Sequence, residues 1–252
     1  MDNIQYKQYT NRGGREINED CAGIAVNQDS YCFAVADGLG GHGGGEIAAQ
    51  LAVDAVCSAF VEEGFSEAFF EHAFCAAQES ILDEQVCRRA LSQMKTTLVV
   101  LVLHKDIAYW AHVGDSRLYY FQKNKYRLRT LDHSVPQMLA LSGDIRESDI
   151  RNHPDRNRLM EVLGVQNEKP RIDVGKPLRL KPEQAFLLCT DGFWELVTEE
   201  EMELALSESD CPDTWIEKMQ NLVTKHGAGT EMDNFTAIAV QPTVKHRFGR
   251  WL

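Results

Sequence analysis

Five short segments of the chain place acidic residues beside apolar runs or in turns. The acids are Glu19, Asp20, Asp37, Asp115, Asp191 and Asp233. Apolar runs of this kind form buried strands, so acids at their ends are expected to meet at one rim of a sheet. Carboxylates that converge repel one another, and a hard divalent cation with oxygen ligands relieves that repulsion. The sequence therefore predicts a carboxylate metal site.

The glycine-rich loop after Asp37 has a second interpretation. Residues 38–43 formally match the G-x-G-x-x-G pattern of dinucleotide-binding folds. However, Asp37 would face a pyrophosphate without compensation, and such a fold needs a second strand ending in an acid about 20 residues further on, where this sequence predicts helix. Metal binding is favoured, because the glycines let the backbone turn sharply and the Gly38 carbonyl face the same ion as Asp37.

Composition and charge exclude several function classes. The chain has 252 residues and a formal net charge of −12, and no basic cluster that could follow a nucleic-acid backbone. The N-terminus shows no signal peptide, and no apolar stretch reaches membrane-spanning length. Seven widely spaced cysteines without a C-x-x-C pair indicate free thiols in a reducing compartment. We expect a cytoplasmic protein with no nucleic-acid or membrane partner.

Hydrophobic periodicity predicts the elements that position the acids. The predicted strands are 22–26, 31–36, 96–103, 107–113, 117–122, 171–175, 185–190 and 235–240; the predicted helices are 46–62, 66–92 with Ser66 as N-cap, 134–142, 198–207 and 212–225. The charged stretch 143–158 is expected to be an exposed, mobile flap. Because most strands are joined as hairpins and two long helices follow one another, the pattern favours one α+β domain with mainly antiparallel sheets.

Seven motifs in this order resemble a known family. They are R-x-x-x-E-D (15–20), D-G-L-G-G-H (37–42), T-T-L-V (96–99), G-D-S-R (114–117), D-H-S (132–134), T-D-G (190–192) and D-N-F-T (233–236). From about residue 4 to residue 241 the chain resembles the metal-dependent PP2C-type serine/threonine protein phosphatases in their compact bacterial form. The resemblance implies a four-layer α-β-β-α sandwich, with a phosphatase domain over 1–241 and a short basic tail over 242–252.

The resemblance also implies a two-metal centre. Asp37 corresponds to the ligand that bridges both ions, and the Gly38 carbonyl to a ligand of one of them. Asp191 and Asp233 correspond to ligands of the ion on the other side. All-oxygen ligation suits Mn²⁺ or Mg²⁺, and no Cys/His set suggests zinc. The implied chemistry is direct attack on phosphorus by a water or hydroxide held between the two ions.

The remaining matches surround that centre. Glu19 and Asp20 correspond to acids that hold metal-bound waters. Asp115 and Asp191 correspond to the ligands of a third, weaker metal site. The alternative for Asp115 is a purely structural role in the turn between its two strands. Arg15 corresponds to the guanidinium that grips the substrate phosphate with a planar fork, the alternative being an ordinary surface charge. Asn234 corresponds to a residue that positions the neighbouring acid.

The chain departs from the family pattern at two places. Eukaryotic members carry an imidazole, proposed as general acid, directly after D-G; here Leu39 holds that place and His42 comes three residues later. His42 is therefore expected to lie near the metal ligands but not to act as the general acid. Met94 and Lys95 precede the paired threonines, where many relatives have a small residue. Separately, His112, His133 and His153 are interpreted as structural or surface residues.

The predicted function is hydrolysis of phosphoserine and phosphothreonine in proteins by a monomer, opposing a bacterial Ser/Thr kinase. An alternative of another class is a catalytically silent relative that binds phosphoproteins as a scaffold. The intact acid set favours the enzyme, because a silent relative is expected to have lost at least one ligand.

Overall fold

The computed structural model describes residues 4–40, 44–166 and 169–242. His42 lies outside the described residues. The predicted tail also lies outside them, except for Pro242 at the end of the last strand.

Twelve strands and six α-helices make up the described part of the chain. The strands are β1 (Ile4–Asn11), β2 (Asp20–Asn27), β3 (Ser30–Leu39), β4 (Lys95–Thr96), β5 (Leu98–His104), β6 (Ile107–Val113), β7 (Arg117–Gln122), β8 (Lys125–Arg129), β9 (Asp173–Val174), β10 (Leu178–Arg179), β11 (Gln184–Cys189) and β12 (Phe235–Pro242). The helices are α1 (Gly45–Glu63), α2 (Phe69–Cys87), α3 (Val135–Ser142), α4 (Asp191–Trp194), α5 (Glu199–Ser207) and α6 (Pro212–His226), with 3-10 helices at Arg89–Leu91 and Glu147–Asn152.

The strands form two antiparallel sheets. The first has the order β1-β12-β11-β7-β8, and the second has β10-β6-β5-β3-β2, with β9 beside β6 and β4 beside β3. Strand β5 explains the layering, since Val99 and Leu101 point into the core between the sheets while Val100 and Val102 face α1 and α2. A third core lies between the first sheet and helices α5 and α6. The predicted α-β-β-α sandwich is confirmed.

Several element boundaries differ from the prediction. The second helix begins at Phe69 instead of residue 66, and Ser66 is not its N-cap: Ala68 holds that position, and the Ser66 carbonyl accepts a hydrogen bond from the Phe69 amide. Strand β1 is absent from the prediction because IQYKQYTN is largely polar. It is an edge strand that pairs only with β12, so most of its side chains are exposed or half-buried.

The segment 143–158 is more closely attached than its composition predicts. Ile150, within the 3-10 helix Glu147–Asn152, is buried. The Arg151 guanidinium donates to the Val197 carbonyl at 3.1 Å and to Glu199 at 2.9 Å. Arg156 donates to Glu195 at 2.7 Å. The flap is thus anchored at its C-terminal half, next to the site described below.

Within the described ranges, none of the helices combines the length and the apolar character that a bilayer span requires.

Candidate metal centre

An open pocket lies where the two sheets meet at one edge. Its lining comprises Arg15, Glu19, Asp37, Gly38, Leu39, Gly40, Asp115, Asn157, Leu159, Asp191, Asp233 and Asn234. Five of the six acids singled out in the sequence line this pocket. The sixth, Asp20, lies directly opposite Asp37 in the β2–β3 pair.

Each acid is positioned by the end of a strand. Asp37 lies near the end of β3, and Asp115 occupies the turn between β6 and β7. Asp191 follows β11 at the first residue of α4, and Asp233 precedes β12. Because β11 and β12 are neighbours in the first sheet and β3 packs against both from the second, these strand ends converge.

Crowding and burial oppose ionisation of this set. Burial, reinforced by the nearby Asp191 charge, raises the pKa of Asp37 well above its ordinary range. Asp37 and Asp191 share a side-chain hydrogen bond, which two carboxyl groups can form only if one of them holds a proton. Burial also raises the pKa of Asp20 to about 8, although hydrogen bonds from Thr190 and Thr236 lower it.

Asp115 extends the set on the other side. Burial and the Asp191 charge raise the pKa of Asp115 well above its ordinary range. Burial, followed by the charge of Asp233, raises the pKa of Asp191 as well. A divalent cation would satisfy these oxygens without protons, and their hard, all-oxygen character fits Mg²⁺ or Mn²⁺.

The backbone at Gly38 is closely packed beside the acids. Its amide donates to the Glu19 carbonyl at 3.1 Å. A Cβ atom at this position would collide with the Gly45 carbonyl oxygen at the start of α1. Only glycine therefore lets α1 begin this close to Asp37.

Arg15 lies at the mouth of the pocket. Its side chain is 56% exposed, and its Nη2 donates to Asp233 Oδ2 at 2.8 Å. The loop that carries it is attached to the same segment, because the Gly14 amide donates to the Met232 carbonyl at 2.9 Å. The guanidinium is thus held beside the acids while remaining accessible from solvent.

Asn234 joins the N-terminal segment to the acid that precedes it. Its Oδ1 accepts from the Glu19 amide at 2.8 Å, and its Nδ2 donates to the carbonyls of Arg12 and Ile17. Its own amide donates to Asp233 Oδ1 at 2.8 Å. Through these contacts one side chain fixes the spacing between Glu19 and Asp233.

Two threonines fix the backbone of Asp37. Sequence analysis assigned neither of them a role in the site. The Asp37 amide donates to Thr97 Oγ1 at 3.0 Å, and Thr96 Oγ1 donates to the Asp37 carbonyl at 2.8 Å. Thr97 Oγ1 also lies 2.7 Å from Ser116 Oγ, next to Asp115. The T-T and G-D-S motifs signalled these positions, but only the fold reveals that they touch.

A buried cation supports the turn that carries Asp115. Arg117 makes a two-pronged pair with Asp132, at 2.8 and 2.6 Å, and its guanidinium lies 3.4 Å from the Trp194 ring centroid. Trp194 Nε1 in turn donates to the Asp115 carbonyl at 3.0 Å. The D-H-S motif contains Asp132, so this ion pair accounts for the aspartate of that motif.

A second pocket adjoins the first and shares Arg15, Asp191 and Asp233 with it. Its other wall contains Arg156 and Glu195, which form the 2.7 Å ion pair of the flap. Burial and the Asp191 charge raise the pKa of Glu195 to about 7. No sequence motif marks this ion pair.

Comparisons with known proteins identify the family and the fold. The sequence profile described as Protein phosphatase 2C matches residues 8–235. A curated protein of Listeria welshimeri named serine/threonine phosphatase stp is 33% identical over 240 residues, covering 92% of this chain and 93% of its own. Stp1 from Staphylococcus aureus superposes with a TM-score of 0.87 at 25% identity, covering 96% of each chain.

One further structure shares the fold. It is the catalytic domain of the phosphatase PstP in complex with two manganese ions, with a TM-score of 0.81 at 24% identity, covering 94% of this chain and 97% of that one. The profile match spans nearly the whole chain and includes every acid named above. This chain belongs to the protein phosphatase 2C family of metal-dependent serine/threonine phosphatases.

Proposed function

We propose that the chain removes phosphate from phosphoserine and phosphothreonine in proteins, at the pocket lined by Arg15 and the converging acids. The observation that carries the proposal is a buried acid set, with raised pKa values, that has an exposed guanidinium at its mouth. An anionic substrate would be repelled by the acids alone. The arrangement makes sense for a phosphate ester if cations occupy the pocket and Arg15 meets the ester from the solvent side.

The proposed ligands are those that the family resemblance implies, and their oxygen donors lie in or beside the pocket. Asp37 would bridge two Mn²⁺ or Mg²⁺ ions, with the Gly38 carbonyl on one side and Asp191 and Asp233 on the other. Glu19 and Asp20 would hold coordinated waters, and Asp115 with Asp191 would provide a third, weaker site. Two ions of this kind lower the pKa of a shared water and neutralise phosphoryl oxygens.

Arg15 is the proposed phosphate-binding residue. Its Nη2 donates to Asp233 Oδ2 at 2.8 Å. A guanidinium can turn its planar fork onto two phosphate oxygens, a geometry that lysine lacks. Because the side chain is 56% exposed, this exchange of partners requires no rearrangement of the core.

The frame behind the acids holds them in place during turnover. Thr97 fixes the Asp37 backbone, and Trp194 fixes the Asp115 carbonyl. Thr97 accepts its hydrogen bond and Trp194 donates its own, and both side chains are uncharged. Their proposed task is to keep the carboxylates at fixed separations when cations enter and leave.

We further propose that the phosphatase domain covers residues 1–241, acts as a cytoplasmic monomer and opposes a Ser/Thr kinase. A phosphoprotein-binding scaffold without activity is the second candidate. The enzyme is favoured because all six acids lie in or directly beside the pocket. A scaffold would have no need for carboxylates that resist ionisation.

The test is phosphatase activity on a phosphoserine peptide and on a small aryl phosphate, after chelation and again with added Mn²⁺ or Mg²⁺. We expect activity only with added ion, and none in Asp37→Asn. A matched control is Asp83→Asn, which changes an exposed acid on α2. Tight binding of the phosphopeptide without hydrolysis at saturating Mn²⁺ would favour the scaffold.

A further inference from the structure

Two histidines and an aspartate meet outside the pocket. His112 lies on β6, His133 precedes α3, and Asp173 lies on β9 directly opposite His112. One donor atom from each residue lies within 4.8 Å of the other two. The imidazole rings are stacked with centroids 4.7 Å apart, and His133 Nε2 lies 3.3 Å from Asp173 Oδ2.

Backbone groups orient both imidazoles. His112 Nε2 lies 2.7 Å from the Leu131 carbonyl, which can only accept, so Nε2 carries the proton and Nδ1 keeps the lone pair. A metal-binding histidine typically has this arrangement, with its other nitrogen donating to a carbonyl. His133 Nδ1 accepts from the Gly114 amide at 3.2 Å, which leaves the ring proton on Nε2, facing Asp173.

We propose that His112, His133 and Asp173 form a second metal site, which binds Zn²⁺ with water as the fourth ligand. Two imidazoles and a carboxylate suit zinc, unlike the all-oxygen set of the pocket. Ligands of a tetrahedral zinc lie about 3.4 Å apart, given metal–ligand distances of about 2.0–2.1 Å. Asp173 is 67% exposed, so its carboxylate is free to turn toward the imidazoles, whereas the His133 ring has to tilt out of its stack on His112 before both nitrogens face one ion.

Zinc binding would act on the turn that carries Asp115. To bind the ion, His133 Nε2 must lose its proton, and the neutral ring then carries that proton on Nδ1. Nδ1 can no longer accept from the Gly114 amide, so the hydrogen bond at 3.2 Å is lost. Gly114 has φ of +92° and packs against Thr97, so this turn has little freedom to find another partner.

The consequence is an inhibitory zinc site coupled to the phosphatase pocket. Weakening of the turn would displace Asp115 and the neighbouring Ser116, whose hydroxyl lies 2.7 Å from Thr97 Oγ1. Inhibition rests on the function proposed above for Asp115. Zinc binding itself does not rest on it, so the two parts can fail separately.

The binding test measures zinc stoichiometry by competition with a chromogenic zinc chelator, at saturating Mg²⁺ so that the oxygen-rich pocket is occupied. We expect the native protein to hold one more zinc ion than Asp173→Ala, or to hold it at least about tenfold more tightly, since even an outer partner of a ligand contributes 10-fold or more. The control Asp83→Ala removes an exposed acid from α2 and should match the native protein. Equal stoichiometry and affinity in the native protein and Asp173→Ala would overturn the site.

The coupling test follows the Gly114 amide by ¹H–¹⁵N NMR and the activity at saturating Mn²⁺. We expect zinc to shift the Gly114 resonance and inhibit the native protein, with at least about tenfold more zinc needed for Asp173→Ala. An unmoved Gly114 resonance in the zinc-bound protein would overturn the coupling. A protein that binds zinc but hydrolyses no phosphoester would instead count against the proposed phosphatase function alone.

Discussion

Replacing Asp20 with asparagine should stabilise the metal-free protein, although Asp20 belongs to the proposed site. Asp20 lies opposite Asp37, and burial, with the charges of Asp191 and Asp233, raises its pKa to about 8 from an ordinary 3.8. The Thr190 hydroxyl donates to Asp20 Oδ2 at 2.8 Å. Asparagine keeps the size and an acceptor oxygen for Thr190 while removing the ionisable group.

The direction of the effect follows from linkage between protonation and folding. A pKa raised in the folded state means that the group contributes stability below pH 3.8 and loses it as the pH rises toward 8. From pH 3.8 to pH 7 is about 3 pH units, and each unit lowers the free energy of unfolding by about 1.4 kcal/mol. The upper bound at pH 7 is therefore about 4 kcal/mol. Because the neighbouring acids share this repulsion, we expect Asp20→Asn to recover about 1–3 kcal/mol of it.

The measurement is the free energy of unfolding by urea, in the presence of a chelator, at pH 7 and pH 5. Asp20→Asn should exceed the native protein at pH 7, and the difference should shrink at pH 5, where the native carboxyl group opposes folding less. Added Mn²⁺ should stabilise the native protein more than the variant. Asp83→Asn, on the exposed face of α2, should match the native protein in stability at both pH values and in its response to Mn²⁺. The reasoning is refuted if Asp20→Asn is no more stable than the native protein at pH 7.

Three further predictions concern activity. Asp37→Asn and Asp191→Asn should reduce phosphatase activity at saturating Mn²⁺ to less than a few per cent of native, with an unchanged circular dichroism spectrum, because these carboxylates are proposed to bind ions instead of packing the core. Greater residual hydrolysis would contradict the proposed bridging role of Asp37. Arg15→Ala should lower kcat/KM on a phosphopeptide by the equivalent of about 1.5–3 kcal/mol of transition-state binding, the value of one charge-assisted two-pronged contact, while the calorimetric Mn²⁺ affinity stays near native. Unchanged kinetics would make Arg15 a surface charge. Replacing residues 144–149 with a Gly-Ser linker of equal length leaves the anchors Ile150 and Arg151 in place. It should reduce turnover of a phosphoprotein but spare a small aryl phosphate, and equal loss on both substrates would mean that the segment organises the metal centre.

The sequence was sufficient for features that a local pattern determines. Strand β5 is apolar throughout, so its burial on both faces and its central place in a sheet were predictable from the residues alone. The position of Asp37 at the end of a buried strand was predictable in the same way. The same pattern led to the expectation that Asp115, Asp191 and Asp233 meet Asp37 at one rim, but the order of strands that brings them there is given by no local pattern.

Features that depend on pairing between distant segments were not predictable. Strand β1 has no apolar alternation to mark it, and it exists because β12 offers a free edge. His112, His133 and Asp173 are far apart in sequence, and the β6–β9 pairing brings the first and last together. The sequence spacing gave no reason to group these histidines, whereas the structure does.

The supports of the candidate centre explain how a stable fold tolerates it. Four acids with raised pKa values oppose folding of the metal-free protein, so other contacts must hold the strand ends together. The hydrogen bonds of Thr97, Asn234 and Trp194 provide these contacts, and each joins segments that lie far apart in the chain. None of the three adds negative charge to the pocket. The fold therefore fixes where the carboxylates lie while leaving their mutual repulsion for a cation to relieve, and this unrelieved repulsion is a source of binding free energy for the ion.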